Sequence, residues 1–236
     1  MFLTTKLFHR FRLRKDSKAL GPHSTSLQRT KIMQRANSLQ RRIEAWSEIQ
    51  HLYMPGAAVL RRRADQEGGG DLVEPADIDL LLPSEVIGRV ACDRRLQRYE
   101  WRLRQAQAHD LLHDIRRHLL IRTQLYKSKD LHSRGQRHQT KSITALNSIQ
   151  SRVDDGVARY RQTRRALVNL AGVLLETSWE NTLRPLADED VRGLDVGQDE
   201  ETSEGRRVLS WIWRTEGVGD GGAEDSTSGM QEGTKK

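Results

Sequence analysis

Leu146, Val153, Tyr160, Leu167 and Leu174 stand seven residues apart, with Ile149, Gly156, Thr163 and Leu170 in the seam positions between them. A repeat of seven keeps its members on one side of an α-helix, so this interval predicts a long helix whose apolar stripe needs a partner. Gly156 and Thr163 interrupt the zipper. Glycine inside a helix costs about 1 kcal/mol relative to alanine, so either two backbones come close there or the helix bends. Ile32, Leu39, Trp46 and Tyr53 repeat at the same interval, with Ala36 and Ile43 between them. They predict a helix from near Ser26 to just before Pro55-Gly56, where proline removes an amide donor.

Between Gly88 and Gly135 lie 46 residues, Arg89 to Arg134, without glycine or proline. A continuous helix of that length would run about 70 Å. Its stripe is Leu96, Tyr99, Leu103 and Ala106, drifting to Leu111, Ile115 and Leu119. "SKDLHSRGQRHQTK" reads as a polar connector turning at Gly135. Two long amphipathic helices so joined fold back antiparallel, each covering the other's stripe. The expected fold is therefore all-α: an elongated antiparallel helical bundle or coiled coil of about three long helices with disordered termini.

The expected layout along the chain has five parts. Residues 1–25 form a disordered basic arm, although Leu3, Leu7 and Phe11 among basic residues in "MFLTTKLFHRFRLRK" also suit a mitochondrial targeting helix. Residues 26–54 are the first long helix. Residues 55–83 are a loop or linker, because Gly68-Gly69-Gly70, Pro75 and Pro83 argue against regular structure. Residues 84–192 hold the helical hairpin and a short helix opened by a capping box, "TSWE", Thr177 to Glu180. Residues 193–236 are an acidic, Gly-rich tail expected to be disordered. One segment in it, "EGRRVLSWIWR", places Leu209, Trp211 and Trp213 on one edge of an extended strand and docks either onto this chain or onto a partner.

Only 36% of the residues are hydrophobic and 5% aromatic, which limits the core. Residues 1–63 carry 14 basic and 3 acidic side chains, residues 94–165 carry 18 and 6, and residues 185–236 carry 6 and 13. A basic body with an acidic tail suits a polyanion such as DNA, or simply a solvated helix surface. No apolar run approaches the roughly 18 residues of a membrane span. The single Cys92 excludes an intrachain disulfide and a cysteine-based zinc cluster.

Two basic clusters lie outside the expected helices: Arg61, Arg62 and Arg63, and the connector's Lys127, Lys129, Arg134, Arg137 and Lys141. Each can grip phosphates, serve as a nuclear-import signal or remain solvated loop charge. "HDLLHDIRRH", His109 to His118, approaches the zinc-protease helix signature. Asp110 stands where that signature has its water-activating glutamate, His118 is one residue too near for the three-histidine form, and the intervening segment lacks its glycine turn. The packing stripe runs through the same window, so a solvated helix is the reading here. No Walker loop, dinucleotide fingerprint or Gly-x-Ser-x-Gly occurs, so no cofactor, metal, small-molecule substrate or enzymatic activity is expected.

The pieces "LQRRIEAWSEIQHLYMPG", "IDLLLPSEV", "RLRQAQAHDLLHDIRRHL", "RTQLYKSKD", "RGQRHQTK", "RVDDGVARYRQTRRAL", "SWENTLRPLADEDVRG" and "EGRRVLSWIWR" follow one another between Ser26 and Arg214. In that order they resemble the C-terminal helical region of fungal KDZ (Kyakuja-Dileera-Zisupton) transposases. The family's chemistry belongs to an upstream RNase H-like domain, so the resemblance carries no catalytic residue to this chain. It implies a non-catalytic transposase remnant, self-associating through its heptad seams and able to bind DNA without sequence preference, with the nucleus as the expected compartment and the cytoplasm or mitochondrion as the alternatives. A coiled-coil module for protein partners, without nucleic-acid binding, is the alternative.

Overall fold

The computed structural model describes residues 2–67, 73–132, 136–194 and 209–215. Every regular element among them is helical, and no strand occurs. No helix among them is long and apolar enough to cross a membrane. By internal contacts the chain divides into two compact units, Met1–Leu103 with Asn169–Leu174, and Arg104–Val168 with Leu175–Lys236.

The first unit opens with α1 (Phe2–Lys18) and α2 (Ser26–Tyr53). Thr25 caps α2: its hydroxyl accepts from the Gln28 amide at 3.3 Å while the Gln28 side chain accepts from the Thr25 amide at 2.9 Å. A helix thus occupies most of the stretch expected to be a disordered arm. Leu7 and Leu13 of α1 are buried in one cluster with Leu39 and Ile43 of α2 and with Ala76, Leu80 and Leu82, which supplies the tertiary burial a short basic helix lacks alone.

Residues 55–83 also depart from the expected linker. Pro55 begins α3 (Pro55–Glu67), and Pro83 begins the one-turn α4 (Pro83–Val86). Proline breaks a helix from within, but at the first position its missing amide hydrogen would have had no partner anyway. Between these helices the chain is fastened by side chains. Trp46 Nε1 donates to the Leu80 carbonyl at 3.3 Å, and Gln50 Nε2 donates to the carbonyls of Leu80 and Leu81 at 3.1 and 2.7 Å. Leu81 adopts a left-handed φ of 51°, a conformation that costs a leucine about 1–2 kcal/mol.

Helix α5 (Arg94–His132) and helix α6 (Gln136–Leu174) each have 39 residues. Both extend into the segment expected to be a connector. The early part of α5 does not bury the expected stripe: Tyr99 and Ala106 are exposed, and Gln97, Glu100 and Trp101 face inward instead. Glu100 is 3% exposed and accepts from the Ser84 amide at 2.8 Å and hydroxyl at 2.7 Å. Those two bonds offset the desolvation of a carboxylate that hydrophobic patterning would place in solvent.

In the second unit Leu111, Leu112, Ile115 and Leu119 of α5 are buried, as are Val153, Val157, Tyr160 and Leu167 of α6. A Cβ added at Gly156 would lie 2.9 Å from Ile115 Cγ1, so the two helices approach closely at this glycine. Arg122 Nη1 bonds Gln150 Oε1 at 2.6 Å about two turns further along each helix, in opposite senses.

"TSWE" does not build the expected capped helix. Thr177 has helical backbone angles and makes no side-chain cap bond, and Ser178–Asn181 is a 3₁₀ turn. The segment after this turn is held by α6: Tyr160 Oη donates to the Arg184 carbonyl at 2.8 Å, Arg164 Nε to that of Leu183 at 3.0 Å, and Arg161 Nε to that of Leu186 at 2.9 Å.

Replacing Gly156 with valine should lower the unfolding free energy by about 1–3 kcal/mol through overpacking against Ile115, despite valine's better helix propensity. Urea midpoints measure this; a raised midpoint would refute the close approach.

Candidate nucleic-acid interface

The Arg61-Arg62-Arg63 triplet is not a loop cluster. It lies on α3, where consecutive side chains diverge by about 100°. Arg61 turns inward: its Nη2 donates to Gln50 Oε1 at 2.9 Å, its Nε is buried without a partner among the described residues, and burial lowers its pKa against the opposing pull of Asp65. Only Arg62 and Arg63 are exposed. Lys127 and Lys129 belong to α5, and Arg137 and Lys141 to α6. Lys127 and Lys141 are exposed, and Arg134 lies outside the described residues. The two predicted clusters fall in different units.

A basic surface that the loop-based reading passes over occupies the start of α5. Arg94, Arg95, Arg98 and Arg102 are all exposed, and no ion pair among the described residues involves them. Arg94, Arg98 and Arg102 recur every fourth residue and share one face. Nearby carboxylates are engaged elsewhere: Asp93 Oδ1 accepts from the Arg95 amide at 2.7 Å, and Glu100 is turned inward to Ser84. The first turn of α5 holds no acidic residue. Arginines at the positive end of a helix dipole disfavour the helix by a few tenths of a kcal/mol, while reinforcing the local positive potential. Exposed Tyr99 sits among them.

The histidine window lies on α5 with His113 exposed and His109 and His118 half-buried. Among the described residues no group of three or more His, Cys, Asp or Glu side chains is placed to hold a metal ion. Burial, and then Arg116, lowers the His109 pKa, with Asp110 opposing.

Trp211 and Trp213 do not lie on an extended edge. Trp211–Trp213 is a 3₁₀ turn, and the residue fully buried is the intervening Ile212. A turn of about 120° per residue cannot keep alternate side chains on one side. This turn packs within the second unit. Trp213 Nε1 donates to the Arg192 carbonyl at 3.0 Å, the Trp211 and Tyr160 rings lie 6.3 Å apart, and the Arg116 guanidinium donates to the carbonyls of Ile212 and Thr215.

No protein-family model, no curated protein and no solved structure matches the chain.

Two outcomes follow from this geometry. Arg116→Ala should free the tryptophan turn, red-shifting tryptophan emission and removing about 1.5–3 kcal/mol of docking per charge-assisted bond lost; unchanged emission would mean that Arg116 is not the fastener. Because folded His109 binds its proton less tightly than the unfolded chain does, acidification below the ordinary imidazole value of 6.5 should destabilise the fold, with no effect well above it. Melting curves of His109→Gln should show a shallower loss between about pH 7 and pH 5. The slope is reduced rather than abolished because His9 is shifted in the same direction.

Proposed function

We propose that this chain is a non-catalytic helical module that contacts nucleic acid through its phosphates without reading sequence, the role implied by the resemblance to the helical region of KDZ transposases. The observation that carries this reading is the exposed Arg94, Arg95, Arg98 and Arg102 face, unpaired among the described residues and set at a helix N-terminus. Arginines placed there gain no ion pair among the described residues, whereas a phosphate backbone would be bound by their guanidiniums. Helix-face arginines without a groove-reading motif favour backbone contacts over base contacts. The nucleus is the compartment this reading implies.

An elongated helical bundle that self-associates belongs to the same proposal, with one change in the surface it uses. Val153, Tyr160 and Leu167 of the heptad seam are buried within the chain, so association falls to side chains that remain outside. Ile49, Leu52 and Tyr53 give the second reading, a protein-interaction module, its specific support: they are 53%, 77% and 63% exposed at helical spacing near the end of α2.

Fluorescence anisotropy with a labelled DNA duplex separates the two readings. If about four phosphates are neutralised, affinity should fall about a hundredfold between about 50 and about 200 mM salt. Replacing Arg94, Arg95, Arg98 and Arg102 with glutamine should remove most of the binding, while the same change at Arg62 and Arg63 should remove much less. Absent or salt-insensitive binding would leave only the protein-interaction reading.

A further inference from the structure

Arg35, Ser38 and Arg42 are spaced three and four apart on α2 and share one face. His9, Arg12 and Asp16 are spaced likewise on α1. These two faces line an open groove of about 210 Å³, with the buried Leu13 and Leu39 also in its wall. Its one carboxylate is already engaged: Arg35 Nη1 lies 2.7 Å from Asp16 Oδ2, and Arg12 Nε lies 3.9 Å from the same oxygen. Arg42 has no carboxylate partner among the described residues. Three guanidiniums against one carboxylate leave two positive charges in excess. His9 feels this crowding, since its pKa is lowered by burial and then by Arg42 and Arg12.

We propose that the α1–α2 groove binds a compact phosphate dianion, held by Arg42 and Arg12 with Ser38 as a further donor. The charge count favours this class. A phosphate monoester carries about −1.5 to −2 at neutral pH, close to the excess in the groove, whereas one phosphodiester carries a single charge. Guanidinium forks also match phosphate oxygens two at a time. Both a phosphorylated nucleic-acid end and free inorganic phosphate present this chemistry. The inference stands on the groove alone and does not depend on the α5 arginine face.

The test is calorimetric titration of the full chain with inorganic phosphate at low ionic strength. Saturable one-site binding is expected, weakened about tenfold or more by Arg42→Gln and unchanged by Arg62→Gln on α3. No saturable binding, or equal weakening by both substitutions, would overturn the proposal. Should Arg42→Gln lose its helical circular dichroism, Arg42→Lys takes its place, keeping the charge without the fork; binding as tight as the wild type would then count against the site. Competition by short oligonucleotides identifies the source. Displacement of inorganic phosphate only by the end-phosphorylated oligonucleotide assigns a nucleic-acid end, and displacement by neither assigns free inorganic phosphate. Equal displacement by phosphorylated and unphosphorylated oligonucleotides would point to backbone phosphodiesters and overturn the assignment of a dianion.

Discussion

A chain with so little to bury holds the segments between its long helices by donating side-chain hydrogen bonds from those helices to backbone carbonyls. In the first unit Trp46 and Gln50 of α2 grip the carbonyls of Leu80 and Leu81, Arg10 and Arg14 of α1 grip that of Ala76, and Asn169 of α6 grips that of Ser84. The second unit repeats the device with Tyr160, Arg161 and Arg164 along 183–186 and with Arg116 on the tryptophan turn. Such bonds contribute about 1.5–3 kcal/mol when the donor is charged, and they also satisfy backbone acceptors that a buried loop would otherwise leave unpaired. Burial keeps the Tyr160 phenol neutral far above its ordinary range, so it remains a donor at any physiological pH.

The same residue type therefore does two jobs. Arg10, Arg14, Arg61, Arg116, Arg161 and Arg164 each reach a carbonyl or amide oxygen within the fold. In Arg14, Arg116 and Arg161 the guanidinium fork bridges two acceptors. Arg94, Arg95, Arg98 and Arg102 have no comparable acceptor among the described residues. Net basic charge overstates the outward positive surface for this reason, and the outward set is what supports the proposed phosphate reading.

Close packing imposes a second constraint. Gly156 admits Ile115 on α5, and Gly56 at the start of α3 admits Val90, whose Cγ1 would lie 2.7 Å from an added Cβ. These two glycines let small apolar side chains supply contact where bulkier residues are scarce. The seam residues around Gly156 are consumed in the chain's own packing, so a heptad repeat need not signal association between chains.

The sequence by itself determined α2, α5 and α6 and several of their ends. Seven-residue recurrence marks α2 and α6, the absence of glycine and proline permits α5, and Thr25 with Gln28 marks where α2 begins, because helical periodicity and capping act within a few residues. Tertiary structure decided the rest. Pro55 and Pro83 start helices instead of breaking them, α1 is a helix because α2 and residues 76–82 bury Leu7 and Leu13, and Thr177 is drawn out of its cap geometry. Which arginines face outward was equally hidden: a buried Glu100 and Trp101, not the apolar pattern, set the rotation of α5. Those outcomes depend on acceptors and apolar surfaces tens of residues away, and local sequence carries no record of them.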